Sequence, residues 1–244
     1  MKIVVVNPNT TAAMTEGIGR AARAVVAAGT EIVAVNPADG PASIEGWYDE
    51  VFSVPGLLAE IAAHPEADGY VVACFDDPGL DAARSVTDRP VIGIGEAGYH
   101  VASLVSGRFG VITTLARSIG ALETNLLKYG LDRRCCGVRA VDLPVLALHD
   151  DPELTRARLG AGIEAAKAED RAEAIVLGCA GMAELAADLT AAHGLPVIDG
   201  VAAAVKLIEG LVGLGVRNSR IGGYAPPLAK PYAGAFARFA PKGG

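Results

Sequence analysis

Short apolar runs rich in valine and isoleucine recur along the whole chain, and each is followed by a polar or glycine-rich turn and a longer stretch of helical periodicity. The first run, Lys2–Val6, enters the turn Asn7-Pro8-Asn9-Thr10, and the pattern after it predicts a helix from about Ala12 to Val26 that Thr10 or Thr11 can cap. Further strands are expected at Glu31–Val35, Tyr70–Cys74 and Pro90–Ile94, with helices at Glu50–Ala63, from Pro78, and up to about Gly107. Beyond that point come strands at Arg108–Thr113, Gly137–Val141, Glu173–Gly178 and Leu195–Ile198, interleaved with helices at Ser118–Tyr129, Pro152–Ala168, Met182–Ala192 and Val201–Gly213. A tail from Ala225 carries a proline-rich turn and one short helix, Pro231–Phe239. Strict alternation of this kind means parallel sheets covered by helices on both faces, an α/β fold.

The alternation also repeats itself at long range. Asp68–Pro78 (DGYVVACFDDP) is a buried strand that runs into a turn at Cys74, and 105 residues later Glu173–Met182 (EAIVLGCAGM) does the same at Cys179. Pro90–Ile94 follows Cys74 by sixteen residues and Pro196–Gly200 follows Cys179 by seventeen. The first strand and its Asn7–Thr10 turn are matched by Phe109–Ile112 running into Thr113-Thr114. Two pseudo-symmetric parallel-sheet domains are therefore expected, with the active site in the cleft between them. We place the first at 1–100 plus a returning segment 212–244, and the second at 101–211.

Composition narrows the field. The 244 residues suffice for two small domains or one large one with a sizeable core. Net charge is −7 without a basic cluster, which disfavours nucleic acid and anionic membranes as partners. The N-terminus opens on a strand instead of a leader, and no run is long enough to span a bilayer, so a cytoplasmic enzyme is the default expectation. Four cysteines (Cys74, Cys135, Cys136, Cys179) fall far short of disulfide-scaffold density. Cys135 and Cys136 lie next to Arg133-Arg134 in what reads as a basic turn, and are taken as structural or exposed.

Cys74 and Cys179 ask for a chemical reason. Set at equivalent strand ends of facing halves, two thiols approach one ligand from opposite sides; one removes a proton from a carbon and the other delivers a proton to the opposite face. A free thiol with a pKa near 8.5 needs a helix N-terminus or a nearby donor to become that base. Backbone N–H groups in the turns Phe75–Gly79 and Ala180–Met182 are placed to serve an oxyanion, and Asn9, Thr113 and Thr114 to orient an amide or carbonyl. A buried cysteine is often only a small hydrophobe, and Asp76 or Asp77 suits ordinary helix capping; it is the matched placement of both cysteines that favours chemistry.

Gly93-Ile94-Gly95-Glu96-Ala97-Gly98 spells G-x-G-x-x-G after a strand and before a helix. Against a dinucleotide site stand its position at the fourth strand, the missing acidic residue about 20 positions on, and the unlike turn Asp199–Ala202 in the other half. His64, His100, His149 and His193 show no metal-ligand spacing. Trp47 and Tyr48 suit either a pocket wall or a loop cover.

Taken together, VNPNT, GPASIEGWYDE, ACFDDPGLDAAR, RPVIGI, VITT, VLGCAGMAEL and PVIDGVAAAVKL resemble the hydantoin racemases of the aspartate/glutamate racemase superfamily, with allantoin racemase their nearest relative. The likeness runs from Lys2 to about Lys230. It implies a racemase of 5-monosubstituted hydantoins that needs no metal, flavin or pyridoxal phosphate, takes a small-molecule substrate and assembles as a homo-oligomer. By position, Cys74 and Cys179 become the acid/base thiols working through an enolate. Asn9, Phe75, Asp76, Thr113, Thr114, Ala180 and Gly181 contact the hydantoin ring, and Ile44 lines the side of its substituent. Three departures bear on substrate choice: Asp76 stands where relatives carry Gly, Trp47 where they carry His, and Gly95 and Gly98 where Ala is usual. A carboxylate at 76 is expected to raise the Cys74 pKa unless it points away. Allantoin, itself a 5-substituted hydantoin, is the alternative substrate. An amino acid racemase of the same superfamily is disfavoured because Phe75-Asp76 and Ala180 replace the Asn-Thr and Thr that usually follow its cysteines. A decarboxylase would manage with one cysteine, and a periplasmic-type binding protein would need an export signal.

Overall fold

The computed structural model describes residues 1–241; the last three positions of the 212–244 segment lie outside the described residues. Among these, eight strands and eight α-helices alternate. They run β1 (Lys2–Val6), α1 (Ala12–Val25), β2 (Glu31–Val35), α2 (Trp47–Ala63), β3 (Gly69–Val72), α3 (Leu80–Val86), β4 (Val91–Gly93) and α4 (Ile94–Val105). The second series is β5 (Phe109–Thr113), α5 (Ile119–Lys128), β6 (Cys135–Ala140), α6 (Pro152–Asp170), β7 (Ala174–Leu177), α7 (Ala186–His193), β8 (Val197–Asp199) and α8 (Gly200–Gly213). Two four-stranded sheets result, ordered β2-β1-β3-β4 and β6-β5-β7-β8, and every pair within them is parallel. The identical strand order is the internal repeat in three dimensions, and the α/β expectation holds.

Strands β1, β3, β5 and β7 are buried almost throughout because each is covered by helices on two faces, which is why they read as unbroken apolar runs. Packing between the halves is not a simple face-to-face contact. Helix α4 leaves the first sheet at β4 yet lies against β7 and β8; α8 leaves the second at β8 yet lies against α1, β3 and β4. One apolar cluster consequently runs from Ile3, Val5 and Val71 through Ala97, Tyr99, Val201 and Val205 to Phe109, Val111 and Val176. Each sheet also has a core of its own on the outer face, around Leu57 and Leu80 in the first half and around Leu159 and Ile163 in the second. Beyond α8 the chain returns to the first half, where Asn218 and Arg220 donate to main-chain carbonyls of residues 84–89.

Several boundaries differ from those read in the sequence, each for a local reason. Helix α3 starts at Leu80 rather than Pro78 because Asp77 (φ 49°) and Gly79 (φ 66°) first make a tight turn. The segment after Cys179 is a 3-10 turn, Ala180–Leu185, before α7 begins. Cys135 opens strand β6 and Cys136 occupies its bulge, since Phe109 pairs with Cys135 and Gly110 with Gly137; neither cysteine lies in the basic turn expected for them. In the tail, the helix expected at Pro231–Phe239 is the 3-10 segment Gly234–Phe239.

Candidate active site

Both cysteines sit at the carboxyl ends of central strands, and the chain leaves each strand in the same way. Ala73 N–H donates to the Val6 carbonyl at 2.8 Å, and its counterpart Gly178 N–H donates to the Ile112 carbonyl at 2.7 Å. The turn after each cysteine then closes through an N–H three residues on, Asp77 to Cys74 O at 3.0 Å and Met182 to Cys179 O at 3.1 Å. The backbone N–H two residues on, that of Asp76 for Cys74 and of Gly181 for Cys179, pulls each thiol's pKa down. Position and local wiring of the two thiols are thus repeated in both halves.

A small cleft, about 390 Å³ when its solvent-open mouth is included, lies between these two strand ends. It is lined by both cysteines and by Asn9, Ile44, Phe75, Asp76, Thr113, Thr114 and Ala180. Gly181 is not part of the lining; its N–H pulls the Cys179 pKa down. Ala73 and Gly178 add to the wall beside the cysteines, and Met14, Ser118 and Val145, which were not singled out in the sequence, complete it. Met14 is one turn into α1, a position that periodicity assigns to the core, and Val145 enters from a segment with no strand or helix signal before it. Val145 is nonetheless fixed: its N–H donates to Glu45 Oε1 at 3.0 Å, tying the loop that carries Ile44 to the opposite half.

The polar lining is partly committed already. Asn9 Oδ1 accepts from Asn7 Nδ2 and from Thr11 N–H, both at 2.9 Å, and Asn9 Nδ2 donates one of its two hydrogens to Met14 Sδ at 3.6 Å, which leaves the other N–H as a donor in the cleft. Thr113 Oγ1 donates to the Gly178 carbonyl at 3.2 Å and keeps its lone pairs. Thr114 is buried beside it, and its main-chain carbonyl accepts from Leu143.

Electrostatics in the cleft are dominated by burial. Desolvation pushes the Cys179 thiol up to about 12, opposed by the Gly181 N–H, and drives Cys74 well above the ordinary thiol range. Asp76 lines the cleft with both thiols, and if ionised it would add to both shifts as a like charge. Its own pKa is in turn raised well above the carboxylate range by burial and by Glu50 and Asp77 beside it. A neutral Asp76 is the physical resolution, and in that form it withdraws the charge that would oppose a thiolate. No helix N-terminus reaches Cys74, because α3 begins six residues later; the donor that lowers each thiol's pKa is the N–H of its own turn.

The glycine signature at 93–98 has a different occupant from a phosphate. Asp77 reaches over from the Cys74 turn and accepts from Gly95 N–H at 3.0 Å, Glu96 N–H at 2.7 Å and Tyr129 OH at 2.8 Å. It thereby caps α4 from outside. A Cβ at Gly93 would overlap the Asp77 carboxylate, one at Gly95 the Phe75 carbonyl, and one at Gly98 would come within 2.7 Å of Val176. Close packing of the Cys74 turn and of β7 on α4 accounts for all three glycines. Among the described residues, no group of three or more His, Cys, Asp and Glu side chains is placed to hold a metal ion, and no helix is long and apolar enough to cross a membrane.

A fold of two matched parallel sheets with a thiol from each at a shared cleft defines a class, and residues 3–208 match the Asp/Glu/Hydantoin racemase family model. The chain belongs to that family; it is a racemase, an isomerase. It is 54% identical to a hydantoin racemase of Rhizobium meliloti over 96% of this chain and 98% of the relative. It is 48% identical to a hydantoin racemase of Pseudomonas sp. (strain NS671), over 98% and 97%. Among solved structures, allantoin racemase from Klebsiella pneumoniae superposes with a TM-score of 0.96 at 48% identity, covering 99% of both chains. A glutamate racemase of Bacillus anthracis, 16% identical with a TM-score of 0.63, shares the two-domain fold.

Proposed function

We propose that this racemase inverts the C5 stereocentre of 5-monosubstituted hydantoins with Cys74 and Cys179 as its two acid/base groups. The observation that carries the reading is the matched placement of the thiols: equivalent strand ends, equivalent N–H donors, one cleft. Hydantoin racemases at 54% and 48% identity over nearly the full length support the substrate class.

In this scheme one thiolate takes the C5 proton and becomes a thiol, while the electron pair of the C5–H bond moves onto the C4 carbonyl as an enolate. Backbone N–H groups of the cysteine turns and the Asn9 amide stabilise that charge. The opposite thiol then gives its proton to the other face of C5 and is left as the thiolate. Substrate and product are enantiomers, so the enzyme finishes with its two thiols in exchanged states, and the same site runs in both directions. Phe75 and Ile44 flank the ring; Thr113 and Thr114 meet its polar edge.

Polarimetry on purified protein with single enantiomers of 5-benzylhydantoin, 5-isobutylhydantoin and allantoin, with and without chelator, tests the reading. Rotation is expected to decay to zero at a rate that chelator leaves unchanged. A folded protein that leaves all three rotations constant would sink the assignment. Changing either cysteine to serine is expected to lower kcat by about 10²–10⁴-fold, the range for losing a general acid or base.

A further inference from the structure

Beside Cys74 the cleft wall carries one acid, Asp76, that the proton transfers themselves do not require, and a second acid, Glu50, stands next to it outside the lining. Glu50 lies in the first turn of α2, and Asp76 is two residues past the thiol. Glu50 Oε1 and Asp76 Oδ2 are both buried, and neither accepts a hydrogen bond from an N–H or O–H group among the described residues. Two desolvated carboxylates cannot both ionise at such close quarters; a single proton between them satisfies both oxygens. Asp76 is the member that keeps the proton, being the more deeply buried and the one with the Asp77 carboxyl also at its side, while Glu50 accepts.

That arrangement gives Asp76 a defined recognition chemistry. With Oδ2 engaged to Glu50, the oxygen left on the cleft side is Oδ1, the carbonyl oxygen of a neutral acid, which accepts one hydrogen bond and carries no charge. The Asn9 amide presents the opposite polarity, since its oxygen is already used. Asp76 lines the cleft together with both Cys74 and Cys179. The two thiols bracket the reacting carbon, so a group close to both lies alongside that carbon, where its substituent leaves the ring.

We propose that Asp76, held neutral by Glu50, accepts a hydrogen bond from an N–H of the substrate's 5-substituent, so that the cleft selects a compact hydantoin with a ureido or amide arm over one with an alkyl or arylmethyl arm. The inference rests on the hydantoin racemase reading above. An apolar arm leaves Asp76 Oδ1 buried without a donor, which sets it back by about tenfold or more. The small cleft works in the same direction, against bulky arms. Glu50 is a positioning residue here, acting through Asp76.

The test compares kcat/KM for allantoin, whose arm is a ureido group, with that for 5-isobutylhydantoin. Wild type is expected to favour allantoin at least tenfold. Asp76→Leu is expected to lower that ratio at least tenfold, chiefly through KM for allantoin. Asp76→Asn, which keeps a carbonyl oxygen for the cleft and donates its N–H₂ to Glu50, is expected to hold the ratio within about threefold. Glu50→Leu is expected to lower the ratio, and Glu50→Gln, whose amide oxygen still accepts from Asp76, to restore it. A wild type that prefers 5-isobutylhydantoin, or an Asp76→Leu variant that slows both substrates equally, overturns the proposal while leaving hydantoin racemisation standing. A wild type that turns over neither substrate removes the broader reading and this one with it.

Discussion

A desolvated thiol is a poor acid, and the two cysteines proposed to move the proton are in that position: burial lifts Cys179 to about 12 and Cys74 well above its ordinary value. Only the thiolate removes a proton, so a raised pKa displaces activity toward alkali. We expect kcat/KM to climb about tenfold per pH unit between pH 7 and 9, measured against an enzyme-free control at each pH. A flat profile over that interval would mean that the free enzyme already holds its base ionised. At this scale the sequence was informative where chemistry repeats. Cys74 and Cys179 stand out because each ends an apolar strand at the same phase of a 105-residue repeat. Met14 and Val145 did not, because an apolar side chain facing a cleft has the same pattern as one facing the core. The Glu50–Asp76 pair was equally hidden, since the two are 26 positions apart and only the fold sets α2 beside the Cys74 turn.

Among the elements, the Cys74 turn and α4 depend on each other through Asp77. Its carboxyl is lifted by burial to about 7, with the Tyr129, Glu96 and Gly95 donors pulling the other way. The folded pKa lies above the usual carboxylate value, so the native state holds this proton more tightly than the unfolded chain. The stability it contributes is complete below about pH 4 and is lost as pH rises through 7. Urea unfolding of wild type and Asp77→Asn from pH 4 to 8 is expected to show the wild-type stability falling more steeply, by up to about 1.4 kcal/mol per pH unit; parallel curves would contradict this. At Gly95 the demand is steric. Gly95→Ala drives a methyl into the Phe75 carbonyl and is expected to cost about 1–3 kcal/mol, read as a shift in urea midpoint at constant slope. The sequence context of the G-x-G-x-x-G spelling at this stretch speaks against a dinucleotide site, but the actual cause of its glycines was not legible, because a glycine that makes room for a carboxylate from another loop is spelled the same way as one that makes room for a nucleotide. Helix starts were displaced for a related reason. The tight turn at Asp77–Gly79 needs positive φ at two positions, and hydrophobic spacing does not report φ.

For the whole molecule, the exchange of α4 and α8 between sheets gives the halves one shared core on the cleft side. Thermal unfolding followed by near- and far-ultraviolet circular dichroism is expected to give coincident single transitions; two separated steps would show that the halves are independent. The alternation of strands and helices and the duplication were legible from the chain, because apolar runs at a fixed phase determine a parallel sheet and its copy. The exchange of helices was not, since the apolar face of α4 fits either sheet equally well as a pattern. This architecture brings a thiol from each half to one cleft, and the central claim is that each serves one face of the substrate. The most direct test is deuterium exchange at C5 in heavy water, followed by NMR for each enantiomer of 5-isobutylhydantoin with Cys74→Ser and Cys179→Ser. The account predicts that each variant exchanges only one enantiomer, opposite for the two variants, and that neither racemises. Exchange of the same enantiomer by both variants, or racemisation by either within a few-fold of wild type, would contradict it.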